Sequence, residues 1–168
     1  TWWTGEKCGT ATQGTKEQMQ LFDGFAPFDT PKPVKMIKQI LTLVSRPNDN
    51  DIILDFFSGS GTTAHAVFEA NTSELVKNIK FILVQIAEDL DDSLKVAQKD
   101  AVRTLEVGIE LLDNIGKPHT ICEIGKERIR RAGKKIMEEN ATKKGIERLD
   151  VGFRVLKLDE SNMAEVYY

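Results

Sequence analysis

The chain has 168 residues, enough for one domain whose core buries roughly two thirds of the unfolded surface. At 40% hydrophobic, 29% charged, 12 Gly and 5 Pro, its composition excludes wholesale disorder and a collagen-like fibre. The net charge of −3 and the pI near 5.5 do not announce a nucleic-acid binder. Apolar runs such as Ile52–Leu54 and Phe81–Val84 fall far short of the ~18 residues of a membrane span, and the opening TWWTGEKCGT has no signal-peptide pattern. Cys8 and Cys122 are too few for a disulfide framework or a four-ligand zinc site; they suit a reducing cytoplasm, the expected location. The chain starts with Thr rather than Met, so a piece of something longer is expected.

In chain order, residues 1–29 are rich in Thr, Gly and Gln and show no sustained period of 2 or 3.6. An irregular arm is expected there, with Trp2 and Trp3 packed on the body. Val34, Ile37, Ile40, Leu41 and Val44 have helical spacing, with Pro33 before them and Pro47 after, which predicts a helix over 34–44. The run IILDFF at 52–57 predicts a strand, SGSGTT at 58–63 a glycine loop, and AHAVFEA a helix. After a polar bridge at 71–77, IKFILVQI at 79–86 predicts a second strand. Strand, helix and strand make a βαβ unit with parallel strands and a right-handed crossover. Weak helical character is read over 92–100, a linker over 109–117, a strong helix over 121–137 and a third strand over 152–159. Charge is uneven, acidic over 85–113 and basic over 117–148, where interleaved Glu residues indicate a solvated helix face.

The glycine loop is the one segment whose chemistry outweighs its packing. Gly59 and Gly61 would let backbone approach a ligand, and the loop delivers backbone N–H groups at a helix N-terminus, where an anion is favoured. Three ligand classes compete. An NTPase loop requires GxxxxGK[ST], and no Lys follows Gly61. A dinucleotide fingerprint is formally matched by Gly59, Gly61 and Ala64, but Gln85 stands where a ribose-binding acid is expected. S-adenosylmethionine carries an ammonium and a carboxylate, which Asp55 at the strand end and the loop N–H groups would serve. Asp55 four residues before the first glycine favours this third class, and a dinucleotide-binding module without transfer chemistry stays as the alternative.

Four stretches carry a family resemblance: FDTPKPVKMIKQIL (28–41), DIILDFFSGSGTTAHAVFEAN (51–71), KFILVQIAEDLDD (80–92), and IGKERIRRAGKKI (124–136) together with GFRVLKLDESNM (152–163). They closely resemble the β-class amino-methyltransferases of DNA, in particular the modification subunit of type III restriction–modification systems. The resemblance implies a partial Rossmann-like methyltransferase fold, α/β and three-layered, with a mainly parallel sheet. Residues 30–168 would form the cofactor-binding half, and 1–29 the arm after a target-recognition region. It implies that Asp55, Phe57, Ser58, Gly59, Gly61 and Thr62 line the methionine half of S-adenosylmethionine, and that Thr30, Pro31, Lys32 and Pro33 close over it. Gln85 and Glu88 fall where the ribose contact belongs. The family's (Asp/Asn/Ser)-Pro-Pro-(Tyr/Phe/Trp) loop accepts the target amine's hydrogens. No Pro-Pro pair exists here, so the resemblance assigns no catalytic residue to this chain. It implies DNA adenine as substrate of the full-length protein, with DNA and a restriction subunit as partners and a homodimer as a further candidate.

The remaining reactive residues have plainer readings. His65 and His119 have no partner at metal-ligand spacing, the two cysteines stand alone, and the acidic run 88–92 lacks a calcium-loop frame and reads as a solvated helix start.

Overall fold

The computed structural model describes residues 3–45, 50–72 and 78–158. Pro47, Trp2, bridge residues 73–77 and positions 159–163 lie outside the described residues.

Two short strands, β1 (Ile52–Asp55) and β2 (Lys80–Leu83), pair in parallel with Ile52 opposite Lys80 and Asp55 opposite Leu83. Alternation along each strand sends Ile53, Phe81 and Leu83 inward and leaves Ile52, Leu54 and Ile82 about half exposed or more, at 60%, 48% and 50%. Helices therefore cover one face of this sheet among the described residues, which is two layers of the three expected. The crossover is as the sequence implies: after β1 comes the loop, then helix α4 (Thr62–Asn71), then β2.

Helix α4 is the centre of the packing, buried from Thr62 to Phe68. Its small residues Ala66 and Ala70, with Val67, admit Val34 and Leu41 of α3 (Val34–Val44), a helix with the bounds the periodicity gives. On its other side Ala64 and Phe68 meet Ile129 and Ile136 of α7 (Ile121–Glu139). Phe68 also stands edge-on to Phe81 at 5.7 Å.

Four expectations are corrected. The arm is not irregular: α1 (Gly5–Cys8) and α2 (Ala11–Leu21) fill it, and Thr10 caps α2 by accepting from Gln13 N. The buried stripe of α2 is Gly14, Gln18 and Leu21, so two of its three members are not apolar and hydrophobic periodicity misses it. Trp3 is 48% exposed rather than packed. The linker over 109–117 is mostly helix: α5 (Leu90–Val96) is followed by α6 (Lys99–Asn114), whose Leu105, Ile109 and Leu112 meet Leu90 and Ile124. Gly116 at φ +61 does end that helix. Residues 151–158 form no ladder with β2; Val151 and Phe153 pack on the cluster of Ile129 and Leu83 while Gly152 and Arg154 face out. Alternating burial there reports one covered side, not strand pairing. Among the described residues no helix is long and apolar enough to cross a membrane.

Candidate functional site

The strand end, the glycine loop and the first turn of α4 are tied together by Asp55. Its Oδ1 accepts from Phe57 N at 3.1 Å, and its Oδ2 accepts from Thr63 Oγ1 at 2.6 Å. Gly61 N donates to Ser58 O at 2.8 Å, closing the loop, and Ser58 N donates to Val84 O at 3.2 Å, anchoring it to the chain after β2. Gly61 is the N-cap of α4, so no side chain caps the first-turn N–H groups, and the positive helix end faces the loop.

Gly59 at φ +50 and Gly61 at φ +75 adopt left-handed backbone that side chains disfavour. The sequence reading assigns these glycines to ligand approach; in the structure their missing Cβ atoms face protein. A Cβ on Gly59 would lie 3.0 Å from Phe28 Cζ, and one on Gly61 would lie 3.1 Å from Gly125 O and 3.2 Å from Ile129 Cγ1. Backbone conformation and the tight seating of Phe28 and α7 are what require glycine at both places.

Gln85 reaches the loop directly. Its Oε1 accepts from Gly59 N at 2.8 Å and its Nε2 donates to Ile86 O at 3.3 Å. Glu88 turns toward α5, where it accepts from Ser93 Oγ at 2.7 Å. Thr30 is held at φ +44, rare for a β-branched residue; Pro31 and Pro33 are buried, and Thr30 and Lys32 point outward. Phe57 is 88% exposed. A groove of about 1090 Å³ brings together Ser58, Gly59, Gly61 and Gln85 and continues along β2 toward residues 143–156. Asp55, Thr62, Thr30 to Pro33, Phe57 and Glu88 do not line it.

Sequence reasoning missed Arg128. It is fully buried, and its Nη1 donates to Ser60 Oγ at 2.7 Å and Thr62 Oγ1 at 2.8 Å. Burial pulls its guanidinium down to about 10, with Glu17 opposing that shift, so it stays charged at neutral pH. A signal existed: position 128 follows Gly125 by three and precedes Ala132 by four, which places it on the buried stripe of α7.

The two histidines are paired rather than idle. Buried His65 places Nε2 3.3 Å from Glu69 Oε1, and Lys38 Nζ lies 2.7 Å from Glu69 Oε2. Burial pushes the Glu69 carboxyl up, but hydrogen bonds from His65 and Lys38 outweigh it and hold the group at about 2. His119 bridges Asp91 through Nδ1 and Asp113 through Nε2, each at 2.9 Å, and these bonds raise its pKa. Asp89 caps α5 by accepting from Asp91 N and Asp92 N, which makes the acidic run the helix start that the sequence indicates. Both cysteines are free; Cys122 lies 3.5 Å from Gln85 O and Ile86 O, and burial raises its thiol away from reactivity.

Residues 1–132 match the family model of the N6/N4 DNA methylases. The chain is 34% identical over 142 residues to the Mod subunit of the type III restriction-modification enzyme StyLTI of Salmonella typhimurium, covering 84% of this chain and 18% of that protein. It is 33% identical over 122 residues to the EcoP15I Mod subunit of Escherichia coli, covering 72% of this chain and 16% of that protein. A 60-residue stretch is 43% identical to the type II methyltransferase M.KpnI of Klebsiella pneumoniae, covering 36% of this chain and 14% of that protein. The chain thus spans less than a fifth of the length of these curated relatives. With a matched region that takes in the strand, the glycine loop, α4 and most of the stripe of α7 behind it, the chain belongs to the N6/N4 DNA methylase family.

Proposed function

We propose that this chain is the S-adenosylmethionine-binding part of a DNA adenine-N6 methyltransferase, the modification subunit of a type III restriction–modification system. The observation that carries this reading is the glycine loop at the carboxyl end of β1: Ser58, Gly59 and Gly61 line the groove, α4 starts at Gly61 without a side-chain cap, and Asp55 marks the strand end. That donor set fits a ligand with a carboxylate and an ammonium: first-turn N–H groups for the one, the Asp55 carboxylate for the other. When bound, S-adenosylmethionine supplies an electrophilic methyl group on its sulfonium. Asp55, Phe57, Ser58, Gly59, Gly61 and Thr62 hold its methionine half, and Thr30, Pro31, Lys32 and Pro33 close over it. Gln85 already accepts from Gly59 N and gives one Nε2 hydrogen to Ile86 O, so its other Nε2 hydrogen and the second lone pair of Oε1 are its offer to a ribose hydroxyl. Glu88 joins it only by leaving Ser93.

In this reading residues 30–168 are the cofactor-binding half of a Rossmann-like three-layer domain, and 1–29 follow the target-recognition region. The bare sheet face of Ile52, Leu54 and Ile82 is where the rest of that domain packs. DNA and a restriction subunit are partners of the whole protein. This chain alone does not methylate, because the acceptors that would hold the hydrogens of an adenine amine belong to a Pro-Pro loop absent from its sequence. Titration calorimetry with S-adenosylhomocysteine and with NAD tests the reading: the 168-residue chain should bind the first and not the second. NAD binding with no signal from S-adenosylhomocysteine establishes the dinucleotide alternative instead.

A further inference from the structure

Ser58, Gly59 and Gly61 of the loop line the groove, and a buried charge reaches the loop from α7. Arg128 reaches the loop from 68 residues away and is fully buried, yet only one of its three nitrogens is bonded. Its Nε and Nη2 are buried with no hydrogen-bond partner among the described residues, as is Gln18 Oε1 on α2. A buried cation in this condition costs stability, and an apolar side chain of similar volume would fill the space at less cost. The acid that acts on it, Glu17, spends its Oε2 on Val34 N and makes no ion pair with it. Packing therefore does not explain Arg128.

Its position does. Nη1 donates to both Ser60 Oγ and Thr62 Oγ1, which lie 3.3 Å apart on either side of the N-cap Gly61. This single nitrogen spans the residue before the helix and the first residue within it. Close seating of α7 makes the reach possible: Gly125 sits so near that a Cβ there would come within 3.0 Å of Gly59 O. The uncompensated charge adds to the positive end of α4, from a residue that does not itself line the groove.

We propose that Arg128 is a positioning residue that acts through Ser60 and Thr62 to set the loop and to select ligands bearing a carboxylate at the N-terminus of α4. This rests on the S-adenosylmethionine reading above. It makes Arg128 a determinant of which adenosyl ligands bind, without touching them.

The test compares S-adenosylhomocysteine with 5′-methylthioadenosine, which keeps the adenosine and the thioether but lacks the amino acid. Arg128→Met should lower affinity for S-adenosylhomocysteine on the order of tenfold and leave methylthioadenosine within about twofold. Arg128→Lys, which restores charge but not the two-pronged geometry, should recover part of the loss. If Arg128→Met shows no cooperative melting transition, Ser60→Ala gives the same readout with the cation retained, because it removes one of the two acceptors through which Arg128 acts and lies outside the proposed ligand contacts. A lowered ratio of the two affinities supports the proposal. Parent-like ratios in the folded variants overturn it while leaving the cofactor reading intact. A parent chain that binds neither ligand overturns both.

Discussion

Gly14→Ala puts a methyl group where backbone already stands. Gly14 lies on the buried side of α2, and a Cβ there would come within 2.1 Å of Pro31 O and 3.0 Å of Pro31 C and Lys32 C. Ordinary contact begins near 3.4 Å, so α2 and the Thr30 to Pro33 segment must separate by more than an ångström. Two effects oppose each other. Alanine favours a helix interior over glycine by about 1 kcal/mol. Overpacking against rigid backbone costs about 1–3 kcal/mol, and a clash this close belongs at or beyond the upper end. Pro31 cannot swing aside cheaply, because it is fully buried and its neighbour Pro33 is the N-cap of α3. The net is a destabilisation of about 1–3 kcal/mol, which for a chain of this length lowers Tm by roughly 2–12 °C. Calorimetric melting of Gly14→Ala beside Lys16→Ala, an exposed control on the same helix, reads this directly. The control should stay within about 0.5 kcal/mol of the parent. A Gly14→Ala chain that melts at or above the parent temperature would falsify the contact between α2 and Pro31 and the account of the arm built on it.

Asp55→Ala removes the acceptor of both Phe57 N and Thr63 Oγ1, so urea unfolding should show a loss of about 1–3 kcal/mol together with weaker S-adenosylhomocysteine binding; unchanged stability speaks against the strand-to-helix tie. His119 gains protonation from Asp91 and Asp113, so its folded pKa lies above the unfolded value near 6.5. Its contribution is therefore full below about 6.5 and lost as pH rises through the folded value. The stability difference between the parent and His119→Asn should shrink across that range, and a difference that grows with pH refutes the clasp. Glu69 is the opposite case: held down at about 2 against a usual 4.5, it contributes above about 4.5, and that contribution fades as pH falls toward 2. Unfolding of Glu69→Gln against the parent from pH 7 to pH 2 should show converging stabilities; parallel curves mean that Lys38 and His65 do not hold it.

Much of the architecture is local and was legible for that reason. Helix 34–44 follows from its apolar spacing and flanking prolines, and the parallel βαβ unit from two β-rich runs around a glycine loop. The helix and each β-rich run lie within about a dozen residues, the range over which periodicity and turn chemistry act. The tertiary structure decided what depends on partners distant along the chain. Helix α2 hides its buried side behind Gly14 and Gln18, which become interior only because Pro31 and Phe28 O meet them. Gln85, which the resemblance puts at the ribose contact, also clamps Gly59 N from 26 residues away. Residues 151–154 alternate like a strand and remain unpaired, because a covered side chain leaves its backbone partner unspecified. Arg128 is the sharpest instance: on a stripe of Ile, Gly and Ala an arginine reads as surface, and only two hydroxyls across the core, 66 and 68 residues away, make its burial possible.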